Sequence, residues 1–164
     1  MPARPRASRL THVSDDGSVR MVDIGAKGPT QRRALAEAIV RMKPATMRAL
    51  RSRAVAKGDA LTTAQIAGIA AAKRTSDLIP LCHPIALTHV GVTFTLRPPG
   101  SVIVQCETAC TGATGVEMEA LTGAAVAALT LYDMCKAIDR GMSVTSLRLL
   151  EKSGGRSGTF KRQR

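Results

Sequence analysis

The chain has 164 residues, of which 45% are hydrophobic and 2% aromatic, and it has no tryptophan. This length predicts one domain, whose core must be built from alanine, valine, leucine, isoleucine and methionine. A formal net charge of +12 attracts polyanions, but one tyrosine and two phenylalanines are too few for a platform that stacks nucleic-acid bases.

Both ends of the sequence are basic, and nothing near the start is typical of an export signal. The first ten residues are followed by polar residues instead of an apolar run, so we expect a cytoplasmic protein with reduced cysteines. Carboxylates interrupt the apolar segment from Val116 to Met134, which argues against a membrane span. We expect basic tails at residues 1–10 and 161–164 around a single domain at residues 11–160.

The first part of the domain predicts an extended arm and then a helix. THVSDDGSVRMVDIG is typical of a strand–turn–strand or an arm that turns at residues 15–17. GPTQRRALAEAIVRM predicts a helix, because Pro29 and Thr30 are start signals and good helix formers follow them.

Two more helices are predicted after Pro44. ATMRALRSRA forms the first, and the second lies in ALTTAQIAGIAAAKRTS, where Thr62 or Thr63 can cap it. The predicted apolar stripe of the second helix consists of Ile66, Ile69 and Ala70. The prolines that follow require the chain to leave the helix.

Alternation of apolar and polar residues predicts an antiparallel hairpin, which turns at residues 98–100. A long helix rich in alanine and leucine follows and stops near Gly141, with Thr114 and Glu117 as a predicted capping box. SVTSLRLLEKSGG predicts a final strand. Strands in one sheet, with helices that can cover one face, predict an open α+β sandwich.

The cysteines and histidines do not form a convincing metal or nucleophile motif. Cys106 and Cys110 would lie on one face of a strand, about 13 Å apart, which is too far to share an ion. Cys82 and His83 are adjacent, and sequence neighbours seldom meet side chain to side chain. We therefore expect no metal site and a buried, apolar Cys82. His83 remains either a structural imidazole or a functional one in a loop.

The long helix carries an acid–base pair, because Asp133 and Lys136 are three residues apart and can touch. Their apolar neighbours favour a partly buried pair over a simple surface ion pair. Glu117 and Glu119 could merely cap the helix. Glu119 and Asp133 would lie about 21 Å apart along one helix, so they cannot serve one reacting atom. Either a long ligand spans both residues, or a neighbouring subunit completes each site.

The remaining candidates are cations: Lys57 before a helix, Lys73 and Arg74 at its end, and Lys152 and Arg156 near a glycine-rich loop. Each could be a solvated surface residue, or a contact to phosphate groups. The residues alone indicate an α+β domain, and they are compatible with an enzyme for an anionic substrate. A basic nucleic-acid-binding module without catalytic activity is the alternative.

Three long motifs resemble the MoaC family of molybdenum cofactor biosynthesis. They are KGDALTTAQIAGIAAAKRTSDLIPLCHPIALTHV, TGATGVEMEALTGAAVAALTLYDMCKAIDRGM and LRLLEKSGGRSG. The resemblance implies a ferredoxin-like antiparallel sheet with helices on one face, sheets that pair in a dimer, and a hexamer of three dimers. It also implies active sites at subunit interfaces.

The implied reaction converts 3′,8-cyclo-7,8-dihydro-GTP to cyclic pyranopterin monophosphate and releases pyrophosphate, which makes the chain a lyase. The resemblance assigns catalytic roles to Asp133, Lys136 and Lys57. It assigns substrate contacts to Leu81, Cys82, His83, Glu117, Met118, Glu119, Lys73, Arg74 and Lys152. Lysines in a partly dry site among other cations can act as acid or base near neutral pH.

The implied partners are the small-molecule substrate, further copies of the chain and, functionally, the radical enzyme that makes the substrate. No membrane and no specific nucleic acid is expected. No cofactor is required by the implied reaction, although Mg²⁺ can accompany the triphosphate.

Overall fold

A computed structural model describes residues 12–14 and 16–163, so the predicted basic tail at residues 1–10 lies outside the described part of the chain. The strands and helices, in chain order, are β1 (Thr30–Arg41), α1 (Pro44–Arg51), α2 (Ala60–Ala72), α3 (Thr75–Leu78), β2 (His89–Arg97), β3 (Ser101–Gly112), α4 (Glu117–Cys135), β4 (Ser143–Ser153) and β5 (Phe160–Lys161).

The five strands form one antiparallel sheet in the order β2-β3-β1-β4-β5. The first four strands and the intervening helices give the β-α-β-β-α-β order of a ferredoxin-like fold. Helices α2 and α4 pack on one face of the sheet, where the hydrophobic core lies. The predicted α+β, ferredoxin-like class is therefore confirmed, as are the β2–β3 hairpin, the helix after Pro44 and the final strand.

The helix predicted from Pro29 and Thr30 is wrong, because Thr30–Arg41 is the strand β1. This strand lies at the centre of the sheet and pairs with β3 on one side and β4 on the other. Its alternate residues Ala34, Ala36 and Ala38 are buried under the helices. Backbone pairing on both edges and burial with a period of two outweigh the helix propensity of alanine, arginine and glutamate.

The details predicted for α2 are only partly confirmed, because Ile69 packs against the core but the cap and the rest of the stripe differ. Asp59, and not Thr62 or Thr63, caps the helix, because its carboxylate accepts a hydrogen bond from the backbone N–H of Thr62 at 3.0 Å. Ile66, from the predicted stripe, has 64% of its surface exposed. The buried face instead consists of small residues: Ala60, Ala64, Gly68, Ala71 and Ala72.

The start of α4 differs from prediction too. The helix begins at Glu117 after Val116, and no side chain caps it, so Thr114 and Glu117 do not form a capping box. At the other end of the domain, the chain stays paired with the sheet just beyond the boundary predicted at residue 160. Lys161 pairs with Glu151 in β5, and the backbone N–H of Arg162 donates to Leu150 at 2.8 Å.

Two glycines allow α2 and α4 to pack closely. A Cβ atom at Gly68 would lie 2.8 Å from the carbonyl oxygen of Gly123 and 3.0 Å from Cβ of Ala127. Gly123 is also close to Ala72, which is one turn further along α2 than Gly68. The two helices therefore run in opposite directions. The N-terminal end of α2 lies beside the C-terminal end of α4, and the C-terminal end of α2 lies beside the N-terminal end of α4.

We expect Gly123→Ala to destabilise the protein by about 1–3 kcal/mol, because the new Cβ would lie 2.5 Å from Cys106 Sγ in a filled core. Helix propensity alone would make the alanine variant more stable by about 1 kcal/mol. A decrease in its free energy of unfolding would therefore come from the close packing. Urea unfolding measures it. The matched control is Gly28→Ala, whose Cβ meets nothing within 4 Å. Equal or greater stability of Gly123→Ala would contradict close packing.

Candidate functional site

The structure gathers the predicted site residues into two groups at opposite ends of α4. At the C-terminal end, Lys57 and Lys136 flank Asp133, and we call these three residues the lysine cluster. At the N-terminal end, Glu117, Met118 and Glu119 meet the 81–83 loop around a cavity. Since 14 residues of one helix separate Glu119 from Asp133, the groups lie about 21 Å apart along the axis.

Each oxygen of the Asp133 carboxylate binds one lysine in the lysine cluster. Lys136 Nζ lies 2.7 Å from Oδ1, and Lys57 Nζ lies 2.9 Å from Oδ2. Lys57 also donates to the backbone carbonyl of Asp133 at 3.1 Å. Hydrogen bonds from Lys136 and Lys57 lower the pKa of Asp133 to about 2, so it is ionised at neutral pH. All three side chains are about half exposed, which leaves them reachable by a ligand.

Local structure fixes both lysines. Lys57 precedes Gly58, whose φ of 100° turns the chain into α2 in a conformation that glycine adopts easily. Lys136 ends α4, and its backbone N–H donates to Tyr132 at 2.8 Å. Antiparallel packing of the two helices then brings these termini together, which explains a contact between residues 76 positions apart.

A buried aspartate anchors the turn that follows Lys136. The Asp139 side chain accepts hydrogen bonds from the backbone N–H groups of Lys43 at 2.8 Å and Gly141 at 3.0 Å. Only 2% of Asp139 is exposed. The backbone N–H of Lys43 is the main cause of its lowered pKa. Asp139 therefore ties the end of α4 to the start of α1 and limits the movement of Lys136.

The cavity at the other end, which we call the main cavity, has a volume of about 400 Å³. The predicted residues that line it are Leu81, Cys82, His83, Glu117, Met118 and Glu119. His12, Val22, Ile24 and Lys27 complete the wall from the segment before β1, and sequence reasoning missed them. For Val22 and Ile24, the alternation of apolar and polar residues was a signal that could have predicted an extended segment with one buried face.

The surroundings of His83 and Cys82, two loop residues that line the main cavity, bear on their chemistry. His83 Nε2 lies 2.7 Å from the backbone carbonyl oxygen of Val22. Cys82 is half-buried, not fully buried as predicted. Burial, together with the charge of Glu119, raises the pKa of the Cys82 thiol. A protonated thiol is a poor nucleophile.

Glu119 is the buried acid of the main cavity, with only 4% of its surface exposed. Burial raises its pKa to about 7, and the charge of Glu117 adds to the effect. At neutral pH a substantial fraction of Glu119 is therefore a neutral carboxylic acid, which can donate a hydrogen bond as well as accept one.

A second cavity of about 690 Å³ adjoins the main cavity, with which it shares Lys27 and Glu117. Arg32 and Arg156 add two more cations to its wall. Arginine and lysine side chains arranged in this way suit phosphate groups. Sequence reasoning missed Lys27 and Arg32. For Arg32 the reason is that its segment predicts a helix, whereas the structure shows a strand.

Three predicted cations stand apart from the cavity walls. Lys73 and Arg74 follow α2 and are exposed at the end of the domain that holds the main cavity. Lys152 donates to Ser157 Oγ and to the carbonyl oxygen of Gly158, so it braces the glycine-rich loop that carries Arg156.

Within residues 12–14 and 16–163, no three histidine, cysteine, aspartate or glutamate side chains come together as a metal-ligand set. No helix in the same residues has the length and apolar character needed to cross a membrane. Cys106 and Cys110, four residues apart on β3, are both buried in the core beneath the helices.

Fold and site together define a ferredoxin-like α+β protein with a small-ligand cavity bordered by cations and a separate lysine–aspartate cluster. The sequence model of the MoaC family matches residues 21–155, and the chain belongs to this family.

Relatives of the chain are similar over nearly their whole length. A protein of Rhodospirillum rubrum named cyclic pyranopterin monophosphate synthase is 55% identical over 160 residues, which cover 97% of this chain and 96% of the relative. Proteins of the same name from Roseiflexus sp. and Nitratidesulfovibrio vulgaris are 56% and 52% identical. The alignments cover 93% of this chain in both cases, and 98% and 95% of those relatives.

We expect Glu119→Gln to remove a pH dependence of stability. The unfolded chain ionises Glu119 near pH 4.5, whereas the folded protein keeps the proton up to about 7. The contribution of Glu119 to the stability of the parent therefore falls as pH rises from 4.5 through 7. Relative to the parent, the variant should gain about 2–3 kcal/mol between about pH 4.5 and pH 8.

Urea unfolding at fixed protein concentration across this pH range measures the effect of Glu119→Gln. Met118→Leu, a change at the same cavity that does not titrate, controls for altered packing. Parallel stability curves for Glu119→Gln and the parent would show that burial does not hold the proton on Glu119.

Proposed function

We propose that this chain is a cyclic pyranopterin monophosphate synthase. In this proposal it converts 3′,8-cyclo-7,8-dihydro-GTP to cyclic pyranopterin monophosphate, with release of pyrophosphate, as a lyase of molybdenum cofactor biosynthesis. Membership of the MoaC family and relatives of this name at 52–56% identity support the activity. The observation that carries the proposal is the lysine cluster, whose residues coincide with the catalytic positions that the resemblance implies.

The lysine cluster suits a rearrangement that breaks and remakes ring C–N bonds. Every such step moves protons, and a lysine held in place by a carboxylate can give up or accept one. Asp133 stays ionised and keeps both ammonium groups at 2.7–2.9 Å, so the two lysines are positioned before a ligand binds. Removal of water by a ligand or a partner surface disfavours the charged form of a lysine, which favours base catalysis.

The cavities at the other end of α4 suit the rest of the substrate. In the proposal, the purine-derived ring lies in the main cavity, against the 81–83 loop and Glu119. The triphosphate lies in the second cavity, where Lys27, Arg32 and Arg156 neutralise its charge and assist the departure of pyrophosphate. The reaction requires no redox centre and no other cofactor, and Mg²⁺ can accompany the triphosphate.

The separation of the two groups of residues favours a site built from two chains. The lysine cluster of one chain would complete the cavity of another, in a hexamer of three dimers whose sheets pair. The enzyme would work after a radical enzyme that makes its substrate, in the same aqueous compartment.

We expect Lys57→Ala and Lys136→Ala to fold and assemble normally but to lose at least about 100-fold in product formation, because each removes a proton-transfer group. Pterin fluorescence after incubation with the cyclic GTP derivative measures the product. Lys161→Ala is the matched control, since Lys161 also pairs with a carboxylate, Glu151 at 3.8 Å, but lies on β5.

Near-normal activity of either variant would remove that lysine from the mechanism. An inactive parent protein that binds DNA or RNA tightly at physiological salt would instead favour the nucleic-acid-binding alternative.

A mixing experiment tests whether two chains share each site. Lys136→Ala and His83→Ala should each be inactive alone, because one lacks part of the cluster and the other part of the cavity. Equal amounts, refolded together, should recover about one quarter of parent activity, the fraction of sites that combine two intact halves by chance. Native mass spectrometry confirms that mixed oligomers have formed. Mixed oligomers without recovered activity would place both halves of the site on one chain.

A further inference from the structure

The segment Arg20–Lys27, which we call the strap, forms one wall of the main cavity. Val22 and Ile24 are half-buried and line the cavity, whereas Asp23 between them is exposed. The alternation shows that the strap is an extended segment with one face toward the cavity. The strap belongs to no strand of the sheet, so local contacts must hold it in place.

One of these contacts indicates which ring nitrogen of His83 carries a hydrogen. Its Nε2 lies 2.7 Å from the carbonyl oxygen of Val22, and a carbonyl oxygen can only accept a hydrogen bond. Nε2 must therefore carry the hydrogen. In a neutral imidazole the other nitrogen, Nδ1, is then an acceptor. His83 makes no second hydrogen bond to the part of the chain that the structure describes, and it lines the main cavity, where Nδ1 could accept a hydrogen bond from a ligand.

We propose that the strap is a positioning element that holds His83 as a hydrogen-bond acceptor for an N–H group on the bound ligand's ring. This inference rests on the proposed function, whose purine-derived substrate carries ring and exocyclic N–H groups. A backbone carbonyl cannot change its role with protonation, so it specifies one tautomer more firmly than a titrating side chain would. The ring then selects ligands with a donor at this position and disfavours those with an acceptor.

Asp23 gives the strap its shape without touching the cavity. Its Oδ1 accepts a hydrogen bond from the backbone N–H of Gly25 at 2.8 Å, which closes an Asx turn directly after Val22. The next turn forms when the N–H of Lys27 donates to Ile24 at 3.0 Å. Because Asp23 is exposed and lies outside the cavity wall, it acts only through the strap, as a positioning residue.

The first test reads the tautomer directly in the ligand-free, full-length protein. ¹⁵N spectra of labelled histidine at about pH 8, where histidine is ordinarily neutral, distinguish a protonated Nε2 from a protonated Nδ1. His12→Gln, His83→Gln and His89→Gln assign the three histidines. We expect the Nε2-protonated form for His83 in the parent and a mixture of tautomers in Asp23→Ala. A protonated Nδ1 in the parent would overturn the proposal.

The second test uses kinetics with a conservative rescue. Asp23→Ala should raise KM for the cyclic GTP derivative by about fivefold to tenfold, the cost of one hydrogen bond, and change kcat less. Asp23→Asn keeps an oxygen that can accept from Gly25, so it should restore both KM and the single tautomer. If Asp23→Ala leaves both KM and the His83 tautomer unchanged, the proposed role of the strap is wrong. An inactive parent with the expected tautomer would instead sink the proposed function.

Discussion

The contact between α2 and α4 is the constraint on which the rest of the structure depends. Gly68 and Gly123 bring the two helix backbones so close that a single methyl group would collide with a carbonyl oxygen or a sulfur atom. Small residues lose the hydrophobic area that larger side chains would bury, but dense packing recovers dispersion energy. The antiparallel contact also sets which termini meet. It thereby determines that Lys57 lies beside Asp133 and that the 81–83 loop lies beside Glu119.

The two ends of this helix pair offer different environments for charge. The lysine cluster is half exposed, so water screens its ion pairs, and their effect on stability is small. At the other end, burial keeps Glu119 partly protonated at neutral pH, while Lys27, Arg32 and Arg156 border the adjoining cavity. The two groups of predicted site residues are thus kept apart within one chain.

The sequence allowed the sheet and site to be predicted wherever one local pattern dominated. The β2–β3 hairpin alternates β-branched and polar residues, and no helical pattern competes with it. β1 was assigned wrongly because alanine, arginine and glutamate favour helices, while the two neighbouring strands that hold it extended are far away in sequence. The same long-range packing exposes Ile66 and buries Gly68. Lys57, Asp133, Lys136 and His83 were recognisable from motifs, but the strap was not, because only its tertiary contact with His83 reveals its role.

The rigidity of α4 explains why assembly is part of the proposed chemistry. The helix is unbroken from Glu117 to Cys135 and packs against α2 and the sheet, so bending cannot bring its ends together. A separation of about 21 Å exceeds the reach of any side chain. A second chain removes the difficulty, because it can present its own lysine cluster to the cavity of the first. Proton transfer would then begin only where two chains meet, which protects the lysines from solvent without burying them in the monomer.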